Sequence, residues 1–480
     1  MMIKDVLARS EIIDGVPVVA YVMPGKGVVA FTGKEHFDLF WSRKKTDIKA
    51  IEVPPAPAVT DKEEIELHKE LLNGNFGAVE KLKGAELSEK EKEVLQKLST
   101  CRSNKEPEAL FNNLYLRRVV DHLLTPTRIE INITQECNGR CLYCYAQAGT
   151  VKREERELRY WMDLVDEAAD LDVCSITVSG GEPLLRWDKT YGICKRAFDN
   201  GMFVSILTNG TYLSKDVAKK LSEFSDRIYL QIDIDAPDKE THEYQRPGTN
   251  FEKVISAIDN VREEGIPFTL NTVVLRSNAD KVVDMVKFAG DRGARGIKFM
   301  KGSAVGRGKD KKELTLSTEE GFALHALLTS LKAKDFGLEY ITDTLGHPAV
   351  ENVDCNLMKG KQSVCEAARG TLTIASDGRI LPCGWLLGCD EMLGERYERG
   401  NLLDIWQHSA VYNEWRSIEV EGMCADCGLC GASCRAHVYL ESGSLSALPS
   451  DCPRIAWKDE GKIEFYRGLI KTARILSTET

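Results

Sequence analysis

Three closely spaced cysteines have the clearest chemical potential in this chain. Cys137, Cys141 and Cys144 follow a C-x3-C-x2-C spacing in the segment ECNGRCLYCYAQAG, with the aromatic Tyr143 directly before the third. Thiolates hold iron–sulfur clusters, and a cube of four irons normally takes four of them. Three ligands in one compact loop therefore predict a cluster with one open iron, where a small chelating molecule can bind and receive an electron. The alternative is zinc, which in structural sites favours four ligands.

A glycine-rich segment follows this loop at a short distance. The apolar run 174–178 leads into Ser179, Gly180, Gly181, Glu182 and Pro183. Two glycines at the end of a strand let the backbone approach a ligand closely, and the neighbouring carboxylate can accept hydrogen bonds from an ammonium group. The alternative is an ordinary turn.

The last third of the chain holds a second set of cysteines. Cys365 and Cys383 fit a C-x12-G-x4-C pattern in which Gly378 forms the turn of a predicted hairpin. The other members are Cys355 upstream, the quartet Cys424, Cys427, Cys430 and Cys434, and finally Cys452. In a reducing compartment such clustering favours metal or redox chemistry over disulfides. A zinc ribbon built on the quartet is the alternative.

The elements that must position these residues alternate regularly between residues 128 and 302. The predicted strands are 128–134, 174–179, 203–207, 228–234, 267–275 and 296–300, and helical periodicity covers 156–170, 215–224, 251–264 and 281–291. Repeated βα units predict an α/β fold with a parallel sheet, either doubly wound or curled toward a barrel.

This organisation also predicts where the chemistry is located. Ligands of parallel sheets gather at the carboxyl ends of the strands. The cysteine loop follows the first strand, the glycine segment the second, and Thr208 with Asn209 the third. The loops 235–246 and 301–308 follow the fourth and sixth strands. Independent polar and glycine-rich signals are therefore predicted to meet on one rim.

The cysteine loop and the GGEP element at 180–183 together resemble the signature of the radical S-adenosylmethionine (radical SAM) enzymes. That resemblance implies a partial (β/α)6 TIM-like barrel, open on one side toward a large substrate. It also implies a [4Fe–4S] cluster on Cys137, Cys141 and Cys144 that binds S-adenosylmethionine. The cofactor-binding residues are then Tyr143, Gly180, Gly181, Glu182, Pro183, Thr208 and Asn209. One electron would break a carbon–sulfur bond of the cofactor, and the resulting 5′-deoxyadenosyl radical would abstract hydrogen from the substrate.

The later cysteines resemble the SPASM extension of radical SAM enzymes, whose seven-cysteine signature binds two auxiliary [4Fe–4S] clusters. Carried over residue by residue, the resemblance gives Cys365, Cys383 and Cys434 to the first auxiliary cluster. It gives Cys424, Cys427, Cys430 and Cys452 to the second. Cys355 is our candidate for the missing ligand of the first cluster, with Cys389 as a substitute; otherwise that iron is open to substrate. The gap between Cys427 and Cys430 is shorter than the family usually has.

Two carboxylates at the end of the fourth strand are candidate acid–base residues. Asp233 and Asp235 alternate with Ile232 and Ile234, so both can point to one face. The alternative is that the charged run 235–240 only caps the following turn and helix.

The N-terminal part carries no catalytic motif. A hairpin is predicted from 18–23 and 27–31, then a helix at 35–41, a proline-rich linker at 51–59, and helices at 62–72 and 87–98. This order weakly resembles the peptide-binding element that precedes many peptide-modifying radical SAM enzymes, which would clamp a leader peptide as an added strand. A structural cap over the barrel is the alternative.

Composition fits a large cytoplasmic enzyme. The 480 residues are 43% hydrophobic, and the net charge of −10 argues against nucleic acid as the main partner. The first residues show no apolar stretch of signal-peptide length and nothing later approaches a membrane span, so we expect a cytoplasmic protein in an oxygen-poor cell. The predicted domains are an N-terminal α+β domain (1–125), the partial barrel (126–310), a helical connector (311–350), the SPASM domain (351–455) and a C-terminal helix (456–480).

Three functions from different classes remain open at this point. The first is a radical enzyme that modifies a peptide or protein, for example by forming a thioether crosslink, and that receives electrons from a reductant such as flavodoxin or ferredoxin. The second applies the same chemistry to a small molecule such as a tetrapyrrole side chain in haem biosynthesis. The third is a non-enzymatic iron–sulfur electron carrier.

Overall fold

The chain forms two compact units, which comprise residues 1–127 with 364–370 and residues 128–363 with 371–480. The computed structural model describes residues 7–13, 16–23, 27–32, 125–332, 334–345, 367–419, 422, 434–456, 458, 461–463, 465, 466, 469 and 473. Among these residues no helix is both long and apolar enough to cross a bilayer.

The first unit contains a three-stranded antiparallel sheet. Its strands are β1 (Leu7–Ile13), β2 (Val16–Met23) and β3 (Gly27–Thr32), in the order β1-β2-β3. The predicted hairpin is confirmed, because β2 pairs with β3 in a register that places Val22 opposite Val28. Strand β1 was not predicted, since its sequence LARSEII lacks a clear apolar alternation. The predicted helices at 35–41, 62–72 and 87–98 and the linker at 51–59 lie outside the described residues.

The second unit is built on a mostly parallel sheet. The described strands are β4 (Arg128–Asn132), β5 (Ser175–Ser179), β6 (Phe203–Thr208), β7 (Ile228–Asp233), β8 (Phe268–Val274), β9 (Gly296–Lys301), β10 (Tyr340–Asp343), β11 (Thr371–Ile374) and β12 (Ile380–Leu381). Strands β4 to β9 lie side by side in chain order, and each pairs in parallel with the next. This confirms the six predicted strands and the partial-barrel class.

Helices connect the parallel strands and continue into the C-terminal region. They are α1 (Leu158–Asp170), α2 (Trp187–Asp199), α3 (Lys215–Leu221), α4 (Lys239–Gln245), α5 (Phe251–Glu263), α6 (Val282–Asp291), α7 (Thr318–Leu331), α8 (Leu402–His408), α9 (Ala410–Arg416), α10 (Arg435–Ser442) and α11 (Pro453–Ala456). Helix α5 illustrates why they form. The side chain of Asn250 caps its first turn, and Val254, Ala257, Ile258 and Val261 form one buried stripe at helical spacing.

The two faces of the barrel strands differ in chemistry. In β4, Ile129 and Ile131 are fully buried, whereas Glu130 between them retains partial exposure. In β9, Ile297 and Phe299 are fully buried on either side of Lys298, which is also partly exposed. Because neighbouring residues of a strand point to opposite faces, the sheet has one apolar face and one polar face.

The sheet extends beyond the six strands that the sequence predicts. Strand β10 adds in parallel to β9. The segment 311–350, predicted as a helical connector, therefore contains both a helix, α7, and a strand. On the other edge, β11 pairs in parallel with β4 and forms an antiparallel hairpin with β12. The hairpin was predicted around Gly378, whose φ of 88° requires the left-handed region. Its pairing with the barrel was not.

Candidate iron–sulfur and cofactor site

The cysteine loop follows β4 and is held in place on two sides. On one side, the Leu142 N–H donates to the Gln245 carbonyl at the end of α4, at 2.9 Å. On the other, the Arg307 guanidinium donates to the carbonyls of Cys141 (3.0 Å) and Ala148 (2.7 Å). Contacts from two separate segments therefore fix the loop backbone.

The three thiols occupy a shared, mostly buried environment. A Cβ placed on Gly139 would lie 3.6 Å from the sulfurs of both Cys137 and Cys141, and the Gly139 N–H donates to the Cys137 sulfur at 3.3 Å. Burial raises the pKa of Cys137 to about 11 and that of Cys141 to about 12, and a charge on Cys144 adds to both increases. The free protein therefore holds thiols, and metal binding must displace their protons.

The surroundings of these sulfurs are compatible with a cluster site. Within the part of the chain that the structure describes, no three Cys, His, Asp or Glu side chains converge as the ligands of one metal ion would. The sulfurs of Cys137, Cys141 and Cys144 are nevertheless close enough for their charges to interact. A cube of four irons is larger than one ion, and N–H donors to sulfur are a usual feature of cluster sites.

The glycine pair attaches the second strand to the cysteine loop. The Gly181 N–H donates to the Thr134 carbonyl at 2.7 Å, and the Glu182 N–H donates to the Glu136 carbonyl at 2.8 Å. A Cβ on Gly181 would lie 2.1 Å from the Glu136 oxygen, and one on Gly180 would lie 2.7 Å from the Thr134 oxygen. Both positions therefore need glycine for this close backbone approach.

Glu182 has a different role from the one its sequence position suggests. Its fully buried carboxylate accepts from the Leu184 N–H (3.0 Å), the Thr208 hydroxyl (2.7 Å) and the Asn209 N–H (2.8 Å). Burial raises its pKa to about 7, against the lowering effect of these donors. Protein donors thus occupy both carboxylate oxygens, whereas the sequence predicts a carboxylate open to an ammonium group.

Thr208 and Asn209 consequently connect the glycine segment to the cysteines. The Asn209 side-chain amide donates to the side-chain oxygen (Oδ1) of Asn138 at 2.9 Å and approaches the Cys137 sulfur at 3.9 Å. Glu182 therefore positions, through Asn209, a donor that faces a candidate cluster ligand.

A second network joins the fourth strand to Tyr143. The Tyr143 hydroxyl donates to Asp235 at 2.5 Å and accepts from Arg246 at 2.7 Å, and Arg246 also contacts Asp233 at 3.1 Å. Both carboxylates face the same guanidinium, as the alternation predicts. Asp235 is completely buried, which raises its pKa, and it also accepts the Val273 N–H. We interpret it as a residue that orients Tyr143 and Arg246, since it has no access to a substrate proton.

The capping alternative accounts for a neighbouring residue instead. The Asp238 side chain accepts the Thr241 N–H at 2.9 Å and caps α4. The polar run 235–240 therefore combines one helix cap with one buried network residue.

Two buried amides at the rim were missed in the sequence. The side chains of Asn132 and Gln135 are 1% and 2% exposed, and neither has a hydrogen-bond partner among the described residues. Buried polar groups normally have partners, so these two fit contacts to a polar cofactor. Asn132 pairs in register with Ser179, next to the glycine pair. The sequence analysis missed these two residues because the sequence does not reveal which polar side chains point inward.

The structure describes three of the predicted auxiliary ligands. Cys383 lies just beyond β12, Cys434 directly precedes α10, and Cys452 is buried before α11. The other predicted ligands, Cys355, Cys365, Cys424, Cys427 and Cys430, lie outside the described residues.

Aromatic rings connect this region to the first cysteine loop. Tyr145 packs against Trp385 with ring centroids 4.5 Å apart and ring planes tilted by 34°, and Trp385 meets His437 edge-on at 4.4 Å. Each of these rings is one to three residues from Cys144, Cys383 or Cys434. The three cysteine segments therefore pack together in the described part of the second unit.

Comparisons with known proteins agree with this site. Residues 131–289 match the family model of the Radical SAM superfamily, and residues 365–428 match SPASM, an iron-sulfur cluster-binding domain. Among curated relatives, an AdoMet-dependent heme synthase from Methanosarcina barkeri is 27% identical over 346 residues, which cover 66% of this chain and 93% of that protein. Mycofactocin maturase MftC from Mycolicibacterium smegmatis is 26% identical over 340 residues, covering 68% and 81%.

A solved structure extends the similarity in fold to nearly the whole chain. Streptococcus suis SuiB, bound to its precursor peptide SuiA, matches with a TM-score of 0.64 and 16% identity, covering 94% of this chain and 99% of that one. A parallel partial barrel with cysteine segments on its rim defines an iron–sulfur enzyme of the α/β class. The chain therefore contains a Radical SAM domain at residues 131–289 and a SPASM domain at residues 365–428. Its cofactors are S-adenosylmethionine, the [4Fe–4S] cluster of the Radical SAM domain and the auxiliary clusters of the SPASM domain. This confirms the expected cofactors and excludes the hypothesis of a non-enzymatic electron carrier.

Proposed function

We propose that this enzyme modifies a peptide, using a cluster held by Cys137, Cys141 and Cys144. When bound, the cluster and S-adenosylmethionine supply a 5′-deoxyadenosyl radical that abstracts hydrogen. The protein residues orient and shield: Glu182 fixes Asn209 beside Cys137, and Asp235 with Arg246 fixes Tyr143. The side-chain amides of Asn132 and Gln135, which have no partner among the described residues, are our candidates for cofactor contacts, in addition to the predicted Tyr143, Gly180, Gly181, Pro183, Thr208 and Asn209.

The N-terminal sheet is the observation that carries the choice of a peptide. Strands β1 and β3 are the outer strands of the described three-stranded sheet, so each has an edge that a leader peptide can extend. The heme synthase relative and the maturase MftC each align with about two thirds of this chain, at 66% and 68%. SuiB, whose structure contains its precursor peptide SuiA, matches 94% of this chain.

The electron donor in this proposal is a small acidic carrier such as flavodoxin or ferredoxin, in the cytoplasm. The turn that holds the cysteine loop continues into the segment 309–313, whose three lysines outnumber the exposed Asp310 and Glu313, and Arg140 of the loop is also exposed. Positive charge beside the cluster loop of a chain with net charge −10 favours an acidic partner.

One incubation tests the peptide proposal. Anaerobically reconstituted enzyme is mixed with S-adenosylmethionine, dithionite and short peptides encoded beside its gene, and products are followed by mass spectrometry. A peptide that loses two hydrogens together with formation of 5′-deoxyadenosine supports crosslinking. A deletion of residues 1–125 should abolish this reaction but leave 5′-deoxyadenosine formation in place, provided the truncated protein retains its iron.

The tetrapyrrole alternative retains one supporting observation, the relative from Methanosarcina barkeri. It predicts loss of carbon dioxide from a porphyrin propionate side chain and no dependence on a peptide. Turnover of a tetrapyrrole without peptide turnover would replace our proposal with this one.

A further inference from the structure

Two charged side chains face each other inside the barrel. Glu130 in β4 and Lys298 in β9 each lie on the polar face of their strand, between fully buried apolar neighbours. Four strands separate β4 from β9 in the sheet. In a flat sheet five strand spacings would span roughly 24 Å. The sheet curls instead, because the Tyr229 hydroxyl of β7 hydrogen-bonds with the Tyr340 hydroxyl of β10 across two intervening strands, on the face that carries Glu130 and Lys298. Both side chains therefore point into one curled interior, and the charge of each contributes to the pKa shift of the other.

Both groups lack partners in the described part of the chain. The side chains of Glu130 and Lys298 make no hydrogen bond and no ion pair with any described residue, either with each other or with a third group. Nearby charges differ in this respect: Arg128 donates to the Thr371 hydroxyl at 3.1 Å, and Asp233 pairs with Arg246. Burial raises the pKa of Glu130 and lowers that of Lys298, so their surroundings disfavour bare charge. Unpaired charges in such surroundings destabilise a fold.

The carboxylate of Glu130 lies beside the auxiliary-cluster segment. A Cβ on Gly384, which follows Cys383, would lie 2.9 Å from Glu130 Oε1. The charge of Glu130 also acts on the Tyr145 hydroxyl, and Tyr145 follows Cys144. Glu130 therefore lies between the segment of the radical SAM cysteines and the first auxiliary segment.

We propose that Glu130 and Lys298 bind an amide group of the substrate's reacting residue. In this arrangement Glu130 accepts the amide N–H and Lys298 donates to the C=O. An amide offers one donor and one acceptor and carries no net charge, which matches one carboxylate facing one ammonium. The inference rests on the proposed function, because a peptide supplies such a group at every residue. The source is either the backbone or a side-chain carboxamide of Asn or Gln.

Thermal unfolding tests the ligand-binding role without a known substrate. Because neither charge has a partner among the described residues, the double variant Glu130→Gln with Lys298→Met should unfold at the wild-type temperature or up to a few degrees above it. Glu182→Gln is the matched control, since it removes a carboxylate that protein donors do satisfy, and it should unfold at a lower temperature. A fall in the double variant as large as in the control would overturn the proposal.

Turnover tests which ligand the pair binds. With the peptide that supports wild-type turnover, each single variant should lower modified peptide per 5′-deoxyadenosine at least tenfold, and Glu130→Asp should recover part of the loss. Loss of 5′-deoxyadenosine formation with S-adenosylmethionine alone, by the same factor and with full iron content, would assign the pair to the cofactor and overturn the proposal.

Modified peptides then separate the two sources. Methylating the backbone nitrogen of the reacting residue should mimic Glu130→Gln if the backbone amide binds, whereas an Asn→Leu or Gln→Leu peptide should do so if a side chain binds. If neither change has an effect, the amide assignment is wrong. If wild-type enzyme turns over no peptide, the proposed function fails, and the unfolding comparison still decides whether the pair is a ligand site.

Discussion

Replacing Glu182 by Gln separates a positioning role from direct cofactor binding. The amide oxygen can replace Oε1 and keep the Leu184 and Thr208 hydrogen bonds, but its NH2 group then faces the Asn209 N–H. Losing one charge-assisted hydrogen bond and leaving a buried donor unpaired costs about 3–5 kcal/mol together. For a unit of this size, that lowers Tm by roughly 6–10 °C.

The assay is thermal unfolding of the iron-free chain by circular dichroism at pH 8, above the Glu182 pKa of about 7. Thr208→Val is the control, because it removes one donor and leaves the carboxylate, so it should lower Tm by only about 2–3 °C, from the loss of one hydrogen bond. If Glu182→Gln left Tm within about 2 °C of wild type yet weakened S-adenosylmethionine binding tenfold, Glu182 would be a direct cofactor contact and our interpretation would be wrong.

Two further predictions concern acid stability and the electron donor. Burial lowers the pKa of His242 to about 3. Its unfolded form therefore takes up a proton below pH 6.5 before the folded form does, and stability should fall by about 2 kcal/mol between pH 7 and 5. His242→Gln should flatten that part of a urea-unfolding profile against pH, and parallel curves would contradict it. Lys309→Glu with Lys312→Glu should lower flavodoxin-driven 5′-deoxyadenosine formation about tenfold, with a weaker effect in high salt. The rate with dithionite should change much less. Lys219→Glu with Lys253→Glu, on outer helices, is the control, and equal loss with both reductants would refute the docking surface.

Local signals explain which parts of the fold were predictable. The strands β4 to β9 alternate with amphipathic helices, so their order and parallel pairing follow from periodicity and short connections. The pairing of β11 with β4 joins residues more than 240 positions apart, and no local pattern encodes it. Strand β10 has four residues, too few for a periodicity signal beside the helix that precedes it.

The site shows the same division between residue type and side-chain direction. The cysteine spacing and the glycine pair could be predicted from the sequence, because metal ligation requires cysteine and close backbone contact requires glycine. The inward turn of Glu182 depends on donors from two other strand ends, so the sequence suggested an open carboxylate. In the sequence, nothing distinguishes Asn132 and Glu130 from other strand residues. Only the structure shows that both lie on the polar face of the curled sheet.

Anaerobic reconstitution tests the central claim most directly. The wild-type chain should bind three clusters, or about 12 irons, whereas Cys141→Ala should bind about 8, because the auxiliary sites remain. With S-adenosylmethionine and dithionite, wild type should form 5′-deoxyadenosine and the variant should not. Undiminished 5′-deoxyadenosine formation by Cys141→Ala, or none by fully loaded wild type, would contradict a radical SAM centre on these cysteines.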